Sequence, residues 1–139
     1  MNTGGSKQWG DAWLQLQQVV ETQTRTNSAP ETPLLRWSPG RLALIGTWQV
    51  EARFVERSGA YEVLFDRFGA QLGSVNFELP PGARVVPPDI WRLQPIDGTT
   101  QTFWRINDGQ DLLAERLAIR IVEHLKDFYQ TYRLAAVGA

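Results

Sequence analysis

His124 is the only imidazole in a chain of 139 residues that contains no cysteine, so the acid–base, nucleophilic and metal chemistry open to it is narrow. Asp127 follows three residues later, a spacing that lets a carboxylate on one helix face orient an imidazole as a base. A hydrolase would also need a nucleophile within reach of that base. The serines and threonines fall in turn-like stretches without a strand–elbow–helix pattern, and thiolate catalysis is excluded. Glu51 and Glu62 offer a pair of carboxylates, but both fall on the wet face of the expected sheet, whereas glycosidase chemistry sets two carboxyl groups across a cleft. A zinc site would have to draw almost all its ligands from carboxylates. The glycines are dispersed, with neither a dinucleotide fingerprint nor a phosphate-binding loop among them. The expectation is a chain that is not an enzyme and holds no cofactor and no metal.

Residue types suited to recognition are concentrated in IWRLQ (90–94) and TFWRI (102–106), which Pro95 to Thr99 join through an Asp-Gly hairpin signal. A two-residue loop at Asp97 and Gly98 sets Trp91 directly opposite Trp104, and on the other face sets Arg92 against Phe103 and Ile90 against Arg105. Guanidinium groups beside apolar surface are common anchors of protein interfaces. Arg92, Phe103 and Arg105, together with Trp91 and Trp104, are therefore the candidate partner-binding residues. Leu112 and Ile119 fall on the polar side of the last helix and are a candidate second surface.

Charge separates the classes of partner. Residues 1–40 carry three basic and three acidic side chains, 41–106 seven of each, and 107–139 four against five. No segment has the basic footprint that nucleic acid selects. Twelve of the fourteen basic residues are arginine, which fits planar stacking cations but also ordinary surface usage. No run approaches the roughly 18 apolar residues of a membrane span, and the first residues, MNTGGSKQWGD, lack a secretory pattern. The expected setting is the cytoplasm and the expected partner another protein, a second copy included.

The elements that must position these residues follow from periodicity. Trp9, Trp13, Leu16 and Val20 make one helical stripe, with residues 1–5 a flexible tail, Ser6 a cap and the helix over 7–23. Residues 24–40 carry Pro30 and Pro33 and read as an extended linker, in which Leu34, Leu35 and Trp37 are apolar enough to lie against the body. From Leu42 to Val55 apolar residues alternate with polar ones, reading as one strand, followed by strands over 60–65 and 72–79. A turn at Ser58 and Gly59 puts Phe54 opposite Val63 and Ala52 opposite Phe65, and matching faces at the next turn requires an odd loop near Gly69. Pro80, Pro81, Pro87 and Pro88 mark an edge or crossover segment. Asn107 or Asp108 caps a last helix over 109–134, whose broad face contains Leu113, Ala114, Leu117, Ala118, Ile121, Leu125, Phe128 and Tyr132.

These elements add up to an α+β fold in a single domain over 1–139. A helix precedes an antiparallel sheet over 41–106, of about five strands in a meander and a hairpin, and a long C-terminal helix packs on the sheet. The functional expectation is a non-catalytic interaction, assembly or chaperone-type factor acting through its aromatic and arginine surface. The alternative is a small-molecule carrier with a pocket between curved sheet and long helix.

Overall fold

The computed structural model describes residues 3–27, 34–46, 49–67, 87–98, 101–107 and 109–137, with side chains of the terminal helices described over 9–25 and 114–131. Helix α1 (Thr3–Asn27) leads into β1 (Leu34–Ser38), β2 (Arg41–Ile45), β3 (Gln49–Arg57), β4 (Ala60–Arg67), β5 (Asp89–Asp97), β6 (Thr102–Ile106) and β7 (Asp111–Leu113), followed by α2 (Ala114–Val137). The seven strands pair antiparallel in chain order and curl into a half-barrel, on which α2 packs against both the sheet and α1.

The Leu42–Val55 run is two strands, not one. It folds back at Gly46, placing Leu44 opposite Val50 and Leu42 opposite Ala52. Even-numbered residues face even-numbered partners, so a fold-back in this register leaves the alternation in sequence uninterrupted and invisible to a period-2 reading. The linker over 24–40 is also corrected. Its first residues extend α1, where Arg25 pairs with Glu21 one turn earlier at 2.8 Å, and its apolar end forms β1, with Leu35 opposite Leu44 and Trp37 opposite Leu42. Helix α1 begins upstream of Ser6, which is helical and not a cap, and residues 3–5 belong to the helix and not to a tail. The strand expected over 72–79, the odd loop near Gly69 and residues 80–86 lie outside the described residues. Among those described, the neighbour of β4 is β5, with Val63 opposite Trp91 and Tyr61 opposite Leu93.

The hairpin at Ser58–Gly59 has the expected register, Phe54 opposite Val63 and Ala52 opposite Phe65. Both turn residues take positive φ, 53° and 79°, the tight-turn geometry that matches the twist of the flanking strands. The β5–β6 register differs from expectation. Trp104 faces Pro95, and Phe103 faces Ile96, because β5 runs on through Asp97 and Gly98 N–H donates to Gln101 O at 2.8 Å. Gly98 has no room for a side chain, since a Cβ would run into the Gln101 carbonyl and the Phe103 ring. The partner of Trp104 moves by four residues, an even number, so Trp91 and Trp104 share the inner face without being opposite each other.

The last helix starts at Ala114, five residues later than expected. Leu112 pairs with Trp104 and Asp111 with Arg105, and the Arg105 guanidinium donates twice to the Asp111 carboxylate, at 2.7 and 3.1 Å. A bidentate pair and an unpaired strand edge hold these three residues extended, although their apolar spacing also suits a helix. Asn107, at φ 46°, turns the chain there; its Oδ1 accepts from Arg92 N–H at 2.8 Å and its own N–H donates to the Arg92 carbonyl at 2.9 Å.

The core lies between the inner sheet face and the two helices. Leu16, Val20, Leu42, Val50, Val63, Phe65, Leu117, Ile121 and Leu125 are fully enclosed. Trp13 enters from α1, with its ring 4.9 Å from Tyr61, 5.7 Å from Phe54 and 5.8 Å from Trp104. The tryptophan stripe of the first helix is therefore a core element of its own chain. Burial pushes the Tyr61 phenol above the usual tyrosine range, and the nearby Glu56 charge adds to that.

Candidate functional site

A cavity of about 610 Å³ opens where three elements meet: the middle of α1, the tip of the β5–β6 hairpin and the β7–α2 junction. Its distinctive lining is Gln15 from α1, Asp97, Gln101 and Thr102 from the hairpin, Trp104 from β6 and Glu115 from the first turn of α2. Each is there for a local reason. The helical stripe of α1 turns Trp13 and Leu16 inward and leaves Gln15 at the flank. The shifted hairpin register carries Thr102 to the tip, opposite Asp97 as the last strand pair. The extended β7 delays the helix start, so that Glu115 falls at the cavity. Trp104, only 1% exposed, reaches the cavity from the core.

The residues singled out for partner binding separate. Arg92, Phe103 and Arg105 do share the outer sheet face. The Arg92 side chain is 82% exposed and its Nε lies 3.8 Å from Glu62 Oε2, a loose surface pair of small energetic weight. Arg105 is engaged by Asp111. Phe103 is half-buried between Ile96 and Leu113. Trp91 points inward, its ring 5.0 Å from Phe65. Trp104 lies beneath Trp13 and Tyr61. Leu112 is on β7, packed against the core, whereas Ile119 is exposed on α2; the two do not form one surface.

His124 is oriented by a carboxylate, but by Asp89. Its Nε2 lies 2.7 Å from Asp89 Oδ2, while the imidazole rests against Phe65 at 4.5 Å and Trp91 at 4.7 Å. Nothing local in the sequence signals this pair, which forms because the β4–β5 register sets Asp89 opposite Phe65 under α2. An Asp–His pair can move a proton, yet among the described residues no hydroxyl is hydrogen-bonded to His124. The arrangement is an imidazole fixed between two aromatic rings by one carboxylate.

Glu51 is not on a solvated face. It is 2% exposed, beside the equally enclosed Ala43, with Arg41 Nε 2.9 Å from its Oε1. The distance is that of an ion pair, although the N–H is not aligned for a hydrogen bond. Among the described residues no cluster of three or more histidine and carboxylate side chains could hold a metal ion, and no helix is long and apolar enough to cross a membrane.

No protein-family model matches the chain, and no curated protein or solved structure matches it at a significant level. The functional reading therefore rests on the geometry of its own residues.

Proposed function

We propose that the chain is a non-catalytic small-molecule-binding protein whose ligand occupies the cavity between α1, the β5–β6 tip and the start of α2. The observation that carries this reading is the cavity itself. Its volume of about 610 Å³ falls within the roughly 300–1,000 Å³ of ligand pockets. Its walls combine one aromatic side chain with several converging polar ones. The space between the inner sheet face and the middle of α2 is filled by Phe65, Leu117, Ile121 and Leu125, so the binding volume lies at the end of the sheet and not beneath the long helix. The test is titration of the isotope-labelled chain with a library of small polar fragments, read by two-dimensional NMR. Saturable shifts centred on Gln15, Gln101, Thr102 and the Trp104 indole are expected, and loss of those shifts when Gln15→Trp fills the cavity. A library that perturbs only the outer face, or nothing, removes the reading.

A second reading, a protein-interaction or assembly factor, draws on the outer sheet face. Ile90 is 45% exposed there, two residues from Arg92 on the same face, and an apolar side chain beside an exposed arginine is the composition of an interface anchor. With Arg105 tied to Asp111 and Trp104 in the core, Ile90, Arg92 and Phe103 are the residues left to carry it.

A further inference from the structure

Resting on the reading of the cavity as a ligand site, we infer that its ligand is an organic cation, an amine- or ammonium-bearing small molecule held by Asp97 and Glu115. Among the described residues the charged side chains lining the cavity are Asp97 and Glu115, and none of them is a lysine or arginine. The nearest sequence candidates for a counter-charge are directed elsewhere. Arg105 is on the outer face in a bidentate pair with Asp111, and Arg116, exposed on α2, is not part of the lining.

One feature works in the opposite sense. The first turn of α2 reaches the cavity, and a helix N-terminus carries the equivalent of about half a positive charge. Two carboxylates outweigh that half charge, and Glu115, in the first turn, already sits where the helix end favours an anion. The field left for a ligand is negative. Trp104, 1% exposed, closes the cavity floor, and Gln15, Gln101 and Thr102 supply donors and acceptors for the rest of the molecule. A multiply charged anion would meet two like charges there, and a purely apolar ligand would leave these polar groups unsatisfied.

The experiment uses three linear probes of similar length: spermidine as the cation, triethylene glycol as the neutral chain and pimelate as the dianion. Each is titrated by NMR into the full chain, the Asp97→Asn/Glu115→Gln double variant and the Gln15→Trp variant. The three substituted positions, Gln15, Asp97 and Glu115, are all exposed, and a dispersed spectrum checks the fold of each variant. Spermidine is expected to shift cavity resonances and to bind at least about tenfold more tightly than the other two probes. The double variant should remove at least about tenfold of that affinity and leave triethylene glycol unchanged, and Gln15→Trp should abolish cavity binding by every probe. Equal or tighter cavity binding of triethylene glycol or pimelate, or spermidine affinity untouched by the double variant, overturns the cationic class while leaving the cavity as a ligand site. Spermidine binding that survives Gln15→Trp, or no saturable cavity shifts with any probe, overturns both.

Discussion

Pro95 and Trp104 face each other across β5 and β6 at a position where the ladder needs no hydrogen bond. The Gly98–Gln101 and Arg92–Asn107 backbone bonds mark the hydrogen-bonded pairs, and alternation makes Pro95–Trp104 a non-bonded pair. The proline nitrogen points away from β6, toward the Ser58–Gly59 turn and beyond the last β4–β5 pair, Tyr61 with Leu93. A residue without an N–H thus sits inside a strand at no cost in hydrogen bonds. Non-bonded antiparallel pairs bring their Cα atoms to about 4.5 Å. A strong Hα–Hα cross-peak between Pro95 and Trp104 is expected, with none between Trp91 and Trp104; the reverse would displace the hairpin register.

Phe65→Ala and Leu117→Ala should each destabilise the chain by about 3 kcal/mol, from lost burial and the cavity left behind. Both side chains are completely enclosed, one on the sheet and one on α2. Urea unfolding measures the loss. Near-wild-type midpoints for both would mean that sheet and helix do not share a core.

Ser58 holds a left-handed conformation at φ 53°, which asparagine adopts more readily than serine. Ser58→Asn, creating the preferred Asn-Gly turn, should raise stability by about 0.5 kcal/mol with no change in contacts. A thermal midpoint that falls would place a different turn between β3 and β4.

His124→Ala should cost about 1.5–4.5 kcal/mol, from two aromatic contacts worth roughly 0.5–1.5 kcal/mol each and a bond to Asp89 worth roughly 0.5–1.5 kcal/mol. Asp89→Asn keeps an acceptor opposite Nε2 and leaves the ring stack in place, so it should cost less than the alanine. Chemical denaturation of the two variants ranks them; an Asp89→Asn loss exceeding that of His124→Ala would make the carboxylate structurally important apart from the imidazole.

The hydrogen bond from Arg105, reinforced by its charge, holds the Asp111 carboxyl below the usual aspartate range. A depressed carboxyl contributes stability above the ordinary aspartate value, and that contribution is lost as pH falls through the lower folded value. Acid should therefore loosen β7 first, and Asp111→Asn should flatten the acid limb. At the alkaline end the raised Tyr61 phenol acts with opposite sign. Its contribution is complete below the ordinary tyrosine value and is lost as pH rises through the folded one, and Tyr61→Phe should flatten that limb. Hydrogen exchange of the β6–β7 amides against pH, and unfolding midpoints against pH, check the two ends.

By itself the sequence determined the inward faces and the tight turn between β3 and β4. Trp13, Leu16 and Val20, then Val63 and Phe65, then Leu117, Ile121 and Leu125, lie where their periods put them, because burial follows the geometry of a single helix or strand. The positive-φ Ser58–Gly59 pair set one register from two residues. Tertiary structure alone decided where the Leu42–Val55 run folds back, how far β5 slides past β6, and that Asp111–Leu113 joins a strand edge before α2 begins. In each case the local pattern fits two arrangements equally, since an even shift of register preserves the faces and three residues are too few to separate a strand from a helix turn. The cavity depended on two of those choices, the hairpin slide that brings Thr102 opposite Asp97 at the tip and the late helix start that places Glu115 in the same cavity lining. The His124–Asp89 pair likewise required β4 and β5 to be neighbours under α2. Side chains far apart in the chain meet only through strand pairing, which the total free energy of the fold selects and no local period encodes.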